Sequence, residues 1–146
     1  MSIEEKSQQA ISAGVGVLAI TSSVYQPGAG VVNFVLQRPH WVSPGFQFGA
    51  IVPFRGSIVG MGMKSSGNKT AGVATFTVGR NSVKTAAVLT WNNSTAKGIV
   101  SFPKGQYPFV AGDELDIRFD SDGSYSPTTN VIFVDLYLYV DQSTLL

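Results

Sequence analysis

Cysteine is missing from this 146-residue chain, and charge is scarce. Asp, Glu, Lys and Arg together make up 13% of the residues, about half the share usual in globular domains. Without thiols there is neither a disulfide framework nor a thiolate metal site, which argues against a disulfide-stapled secreted module. There is one histidine, His40, set between Pro39 and Trp41. A Ser-His-Asp or Cys-His site would have to use it, and its surroundings read as a rigid aromatic corner. Zinc held by imidazole would need a second such ligand. No apolar run reaches the roughly 20 residues of a membrane-spanning helix. The stretch from Gly14 to Val24 is interrupted by Thr21, Ser22 and Ser23. The first residues, Met-Ser-Ile-Glu-Glu-Lys, are acidic where a signal peptide would be basic. The expectation is a soluble chain made in the cytoplasm, with no membrane partner, no cofactor and no metal.

What is present points to strands. Sixteen glycines and seven prolines punctuate a chain that is 44% hydrophobic, and short alternating runs recur between them. The runs are Gly14–Tyr25, Val31–Gln37, Phe46–Phe54, Gly56–Lys64, Gly72–Val78, Val83–Trp91, Gly98–Phe102, Glu114–Asp120 and Asn130–Asp141. Gly79-Arg80-Asn81-Ser82 reads as a hairpin turn. Helical signal is confined to residues 1–13, where Ser2 and Glu5 fit a capping box but Ile3, Ala10 and Ile11 supply only a thin apolar stripe. The expected organisation is an N-terminal arm over 1–13 and a single all-β domain over 14–146. With strands and no intervening helices, that domain is an antiparallel β-sandwich or barrel, and the proline-marked corners favour a jelly roll.

The last run carries the main structural question. Side chains alternate across a strand. One face of Asn130–Asp141 is therefore Ile132, Val134, Leu136, Leu138 and Val140, a core face. The other is Val131, Phe133, Asp135, Tyr137 and Tyr139, too aromatic for an ordinary solvent face. Phe133, Asp135, Tyr137 and Tyr139 are accordingly expected at a subunit interface, with Asp135 meeting a basic side chain of its own chain or of a neighbour. Ile3, Ala10 and Ile11 of the arm are expected to touch a shell or a neighbouring subunit.

The few charges are segregated. Residues 1–112 hold nine basic side chains against Glu4 and Glu5, whereas residues 113–146 hold seven acids against Arg118. Either basic and acidic strands neutralise each other within a sheet, or the segregation creates a dipolar surface that orients partners. Asp120-Ser121-Asp122-Gly123 resembles the start of a calcium loop but lacks the distal ligands, so a turn is expected. Lys and Arg are too dispersed for a nucleic-acid surface. Trp41 and Trp91, beside loops, are the candidates for stacking on a glycan.

Two segments, Gly-Val-Ala-Thr-Phe-Thr-Val-Gly-Arg-Asn-Ser-Val-Lys-Thr (72–85) and Phe-Val-Ala-Gly-Asp-Glu-Leu-Asp-Ile-Arg-Phe-Asp (109–120), together with the long loop before the last strand, carry a likeness. Over about residues 45–142 the chain resembles the small β-sandwich proteins of tailed-phage particles, namely capsid decoration (cement or auxiliary) proteins and fibre heads. The resemblance implies a non-enzymatic homotrimer on the virion exterior, bound to the major capsid protein and stabilising the head shell. The alternative it implies is a receptor- or glycan-binding fibre head. It carries over no catalytic residues.

Overall fold

In a computed structural model, the structure describes residues 16–36, 49–92 and 94–141. The arm residues Ile3, Ala10 and Ile11, and the corner containing His40 and Trp41, lie outside them. The described residues form ten strands: β1 (Val17–Tyr25), β2 (Phe34–Val35), β3 (Ala50–Ile51), β4 (Gly56–Ser65), β5 (Ala74–Arg80), β6 (Val83–Trp91), β7 (Lys97–Ser101), β8 (Pro108–Phe109), β9 (Glu114–Ser121) and β10 (Val131–Val140). All pairings are antiparallel.

Sheet A has the order β1-β10-β4-β7, with β8 paired to the start of β4. Sheet B has the order β2-β9-β5-β6, with β3 also on β9. The pairings are nested. The first strand lies on the last, β2 and β3 lie on β9, β4 lies on β7 and β8, and β5 lies on β6. A chain folded as one long hairpin and then rolled across two sheets has this pattern, and it is a jelly roll. The expected all-β sandwich is therefore the observed one. Among the described residues, the runs expected over Val31–Gln37 and Phe46–Phe54 contribute two residues each to the ladders, and Pro108–Phe109, expected as a connection, forms a short strand instead.

Alternation builds the core. From β10, Ile132, Val134, Leu136 and Leu138 are at most 1% exposed. They face Phe76 and Val78 of β5 and Leu115, Ile117 and Phe119 of β9, with Ile58, Met61 and Leu89 in the same cluster. An aromatic chain closes one end: Phe76 meets Phe119, Phe119 meets Tyr125, and Tyr125 meets Trp91, with ring centroids 5.4–6.2 Å apart. Burying each such aliphatic or aromatic side chain contributes about 1.5–3 kcal/mol. Burial also pushes the Tyr125 phenol up to about 12, and its enclosed hydroxyl has no hydrogen-bond partner among the described residues.

Turns position the sheet ends. The β5–β6 hairpin turns at Asn81 and Ser82, with φ of 50° and 67°, the double left-handed conformation of a tight hairpin. Asn81 Nδ2 donates to Asp113 Oδ1, and its Oδ1 accepts from the Glu114 amide. Asp113 also accepts the Val110 amide at 2.9 Å and pairs with Arg80 Nε at 2.9 Å. Its carboxyl is consequently held below the usual carboxylate range: the Val110 and Asn81 hydrogen bonds, aided by Arg80, outweigh burial, which acts in the opposite direction.

Leu136→Ala should cost about 2–5 kcal/mol in denaturant unfolding, because it opens a cavity in the closed core. Phe133→Ser, one face over, should change the stability of the isolated chain by less than about 0.5 kcal/mol. Asp113 supplies the pH dependence. Its folded pKa lies below the ordinary 3.8, so its stabilisation is complete above that value and disappears as pH falls through the folded pKa. Asp113→Asn should lower stability at pH 7 and flatten the stability-versus-pH curve below about pH 4, as read by urea unfolding across pH 2–7.

Candidate functional surface

The two outer faces of the sandwich differ in kind. On sheet B, β9 turns Glu114, Asp116, Arg118 and Asp120 outward by alternation. A solvated acidic row is the simplest expectation, yet Asp116 and Arg118 are each only 7% exposed. Arg118 grips the Asp116 carboxylate with two donors, Nε at 2.9 Å and Nη2 at 3.1 Å, and its Nη1 donates to Asn33 Oδ1 at 3.1 Å. Gly79, opposite Asp116 on β5, makes room for the pair: a Cβ there would lie 2.0 Å from Asp116 Oδ1. Asp120 accepts the Asn33 amide at 2.8 Å and pairs with Lys84 at 2.8 Å. Asp116, Arg118, Asp120 and Lys84 of this face thus satisfy one another, while Glu114 accepts the Gly49 amide at 3.3 Å.

Part of the segregated charge resolves within the chain. Arg55–Asp141, Arg80–Asp113 and Lys84–Asp120 each join a basic residue of the first 112 to an acid of the last 34. The calcium-like run is the end of a strand and the start of a turn: Asp120 and Ser121 close β9, and the turn lies at Gly123 and Ser124. Asp120 is committed to Asn33 and Lys84, and Asp122 accepts the Val73 amide together with the amide and hydroxyl of Ser124. Among the described residues no cluster of His, Asp and Glu has a metal-binding arrangement.

The outer face of sheet A is different. Register places Val17, Ala19, Thr21, Ser23 and Tyr25 of β1 beside Tyr139, Tyr137, Asp135, Phe133 and Val131 of β10. On the other flank of β10 lie Ser57, Gly60, Gly62 and Lys64 of β4, and beyond them Ser101, Ile99 and Lys97 of β7. Phe133 is 47% exposed and Ile99 84%, and no other layer of the described chain covers them. The strand glycines give this face its relief. The Tyr137 ring lies alongside the bare backbone of Gly60 and Gly62, within 4.0 Å of where a Cβ would stand at either. A β-bulge at Val59 accompanies them, between the Tyr137–Gly60 and Leu138–Ile58 pairs. The result is a shallow groove of about 620 Å³ floored by Gly62 and Gly98 and walled by Phe133, Ile99, Lys64 and Lys97.

The four residues expected at an interface share this face but not equally. Phe133 and Tyr137 are exposed, while Tyr139 is partly covered by Lys104, whose Nζ lies 4.1 Å from the ring centroid. Asp135 accepts a 2.6 Å hydrogen bond from the Thr21 hydroxyl on the adjoining strand. The basic partner expected for it within the chain is replaced by that hydroxyl. Sequence reasoning missed Lys64 and Lys97. They stand directly opposite each other on β4 and β7, both exposed, and neither forms an ion pair among the described residues. Like charges in this position are mutually destabilising. Their positions were visible in the sequence, but their pairing needed the strand order.

The glycan candidate Trp91 is corrected by its surroundings. It is 1% exposed, its indole N–H donates to the Thr95 carbonyl at 2.9 Å, and Lys69 and Tyr125 lie against its ring. No ring face is left for a sugar.

No family model and no curated protein matches the chain by sequence. Among solved structures it is similar to a chain in the acid-stable capsid of Helicobacter pylori bacteriophage KHP30, at 11% identity and a TM-score of 0.42, covering 84% of this chain and 86% of that one. It is similar to a chain of the cyanophage Pam1 capsid asymmetric unit, at 12% identity and 0.48, covering 87% and 86%. It is also similar to the PRD1 vertex protein P5, at 15% identity and 0.42, covering 86% and 98%.

Proposed function

We propose that the chain is a structural protein of a phage virion, a capsid decoration protein that self-associates and stabilises the head shell by adding contact area. The observation that supports this most is the asymmetry of the two outer faces. Sheet B pairs Asp116 with Arg118 and Asp120 with Lys84 and exposes Ile51 and Val83 at one end, whereas sheet A leaves Phe133, Tyr137, Ile99 and Val17 exposed. Contiguous exposed apolar surface of this kind marks contact with another macromolecule. The resemblance of segments 72–85 and 109–120 to decoration proteins supplies the kind of partner. Its implied stoichiometry is a homotrimer, and its implied second partner is the major capsid protein on the virion exterior.

In this reading Phe133, Asp135, Tyr137 and Tyr139 form the centre of the contact and Lys64 and Lys97 its rim. Asp135 enters it with one hydrogen bond from Thr21 and its charge intact, so a buried contact there calls for a further donor or a cation from the partner. The facing lysines offer a matched position for acidic groups of the partner, which would relieve their mutual repulsion and steer docking. The arm residues Ile3, Ala10 and Ile11 add a second contact with the shell or a neighbour. The role is mechanical, and no bond is made or broken.

The experiment is light scattering of the purified chain at micromolar concentration, followed by co-sedimentation with shells assembled without it. The expected mass is three times that of the chain, with saturable shell binding. The double variant Phe133→Ser/Tyr137→Ser should lose self-association while keeping its thermal unfolding midpoint. Deletion of residues 1–13 should weaken shell binding. A wild-type chain that stays monomeric and leaves the shells unbound would sink the proposal.

A further inference from the structure

The acids of residues 113–141 are engaged within the chain. Asp113, Asp116, Asp120 and Asp141 each pair with a cation. Glu114 accepts the Gly49 amide, and Asp122 accepts the amides of Val73 and Ser124. Asp135 accepts the Thr21 hydroxyl through Oδ1. The remaining acids of the sequence are Glu4 and Glu5, in the arm. Lys64 and Lys97 meanwhile face each other, exposed and without an ion pair among the described residues.

The groove beside these lysines has a charge order set by the ladder. Phe133, Lys64 and Lys97 form one row across β10, β4 and β7. Asp135, Gly62 and Ile99 form the next row, two residues along each strand and so about 7 Å away. Positive charge closes one end of the groove, and a carboxylate flanks its middle. Gly62 brings no side chain between Asp135 and Ile99, so the space above it is open. The arm segment Ile3-Glu4-Glu5-Lys6 carries the opposite order, acid and then base. Laid extended in the groove, it turns Glu4 and Lys6 to one side with the same spacing of about 7 Å. Glu4 then meets the two lysines, and Lys6 meets Asp135 above Gly62. Glu5 turns away.

The direction of β1 indicates which copy receives the arm. Gly16 lies at the end of sheet A opposite the lysines, where its carbonyl accepts the Val140 amide. From Val140 back to Phe133, the neighbour of Lys64, is about 23 Å along β10. Because β1 runs toward the lysine end, the chain before Gly16 enters from beyond the far end. To reach its own groove the arm would have to double back over that distance. The ten residues from Lys6 to Gly16 span at most about 36 Å fully extended, which leaves few for a reversal. The groove of a neighbouring copy requires no reversal.

We propose that the arm of one copy docks in the sheet A groove of the next, with Glu4 between Lys64 and Lys97 and Lys6 on Asp135. The inference rests on the self-association read above and makes a neighbouring copy, not the shell, the target of the arm. The contact supplies a cation to Asp135 and relieves the repulsion between the facing lysines.

Charge reversal in the full chain, followed by sedimentation equilibrium, tests it. Lys64→Glu/Lys97→Glu in one protein and Glu4→Lys in another should each raise the dissociation constant of self-association at least about tenfold, because like charges then meet. Both should keep the thermal midpoint of the dissociated chain, since the altered groups are exposed or in the arm. Mixing the two proteins should restore association, as the reversed arm of one fits the reversed groove of the other. Lys6→Glu should weaken association, Glu5→Lys should not, and added salt should weaken it in the wild type. The proposal is overturned if the mixture associates no better than its components, or if Glu5→Lys acts as strongly as Glu4→Lys. Recovery in a single chain carrying all three reversals, without recovery on mixing, assigns the arm to its own groove and overturns the exchange. Loss of shell binding alone in Lys64→Glu/Lys97→Glu, with self-association intact, assigns the groove to an acidic group of the shell and likewise overturns it. If Phe133→Ser/Tyr137→Ser disperses the assembly while the charge variants leave it intact, the face reading stands and the arm docking falls. If mixing restores an assembly that leaves shells unbound, the arm docking stands and the decoration role falls.

Discussion

Packing of the aliphatic row of β10 against sheet B is the contact on which the rest of the molecule depends. Ile132, Val134, Leu136 and Leu138 are closed off against Phe76, Val78, Ile117 and Phe119. Because side chains alternate with a period of two, burying that row fixes the register of β10 against both β1 and β4. A slip of one residue would bury Asp135 and expose Leu136. The same constraint therefore decides which residues face outward, and the aromatic row is on the surface because the aliphatic row is in the core. Gly60 and Gly62 then find themselves beside Tyr137, and Thr21 beside Asp135, as consequences of that register.

Electrostatics is arranged around this frame rather than supporting it. Surface ion pairs such as Arg55–Asp141 contribute at most about 1 kcal/mol each. The Asp116–Arg118 pair is another matter, since its charges are largely removed from water and are tolerable only with near-complete hydrogen bonding. Asn33 and the missing side chain at Gly79 provide that. One outer face is thereby spent on internal satisfaction. The other holds two facing lysines, one hydroxyl-bonded acid and a run of exposed apolar groups.

Much of this was legible from alternation. The two faces of Asn130–Asp141, the core row of Glu114–Asp120 and the hairpin at Gly79–Ser82 all follow from period-two patterns and turn chemistry. What could not be read depended on which strands become neighbours. Asp116 and Arg118 look like solvent residues until Gly79 is placed across from them. Trp91 looks like a loop aromatic until Lys69 and Tyr125 close over it. Asp135 invites a cation in the sequence, and receives a threonine because β1, not a basic strand, lies beside it. The facing of Lys64 and Lys97 was hidden for the same reason, being a product of the β4–β7 pairing. Pro108–Phe109 is a strand only because the start of β4 offers it an edge.

The anatomy of sheet A's outer surface matches what associating surfaces need. Their centres are depleted of charge and enriched in aromatic residues, while charged residues are kept to the rim. Here Phe133 and Tyr137 are central, Lys64 and Lys97 lie at one side, and the acid in the middle is already bonded. A stable association buries roughly 1,200–2,000 Å² in total. A four-stranded face alone is a modest platform for that, so the groove between Phe133 and Ile99 matters, because it lets a partner insert side chains rather than lie flat. The register of β10 is what sets Phe133 along that groove.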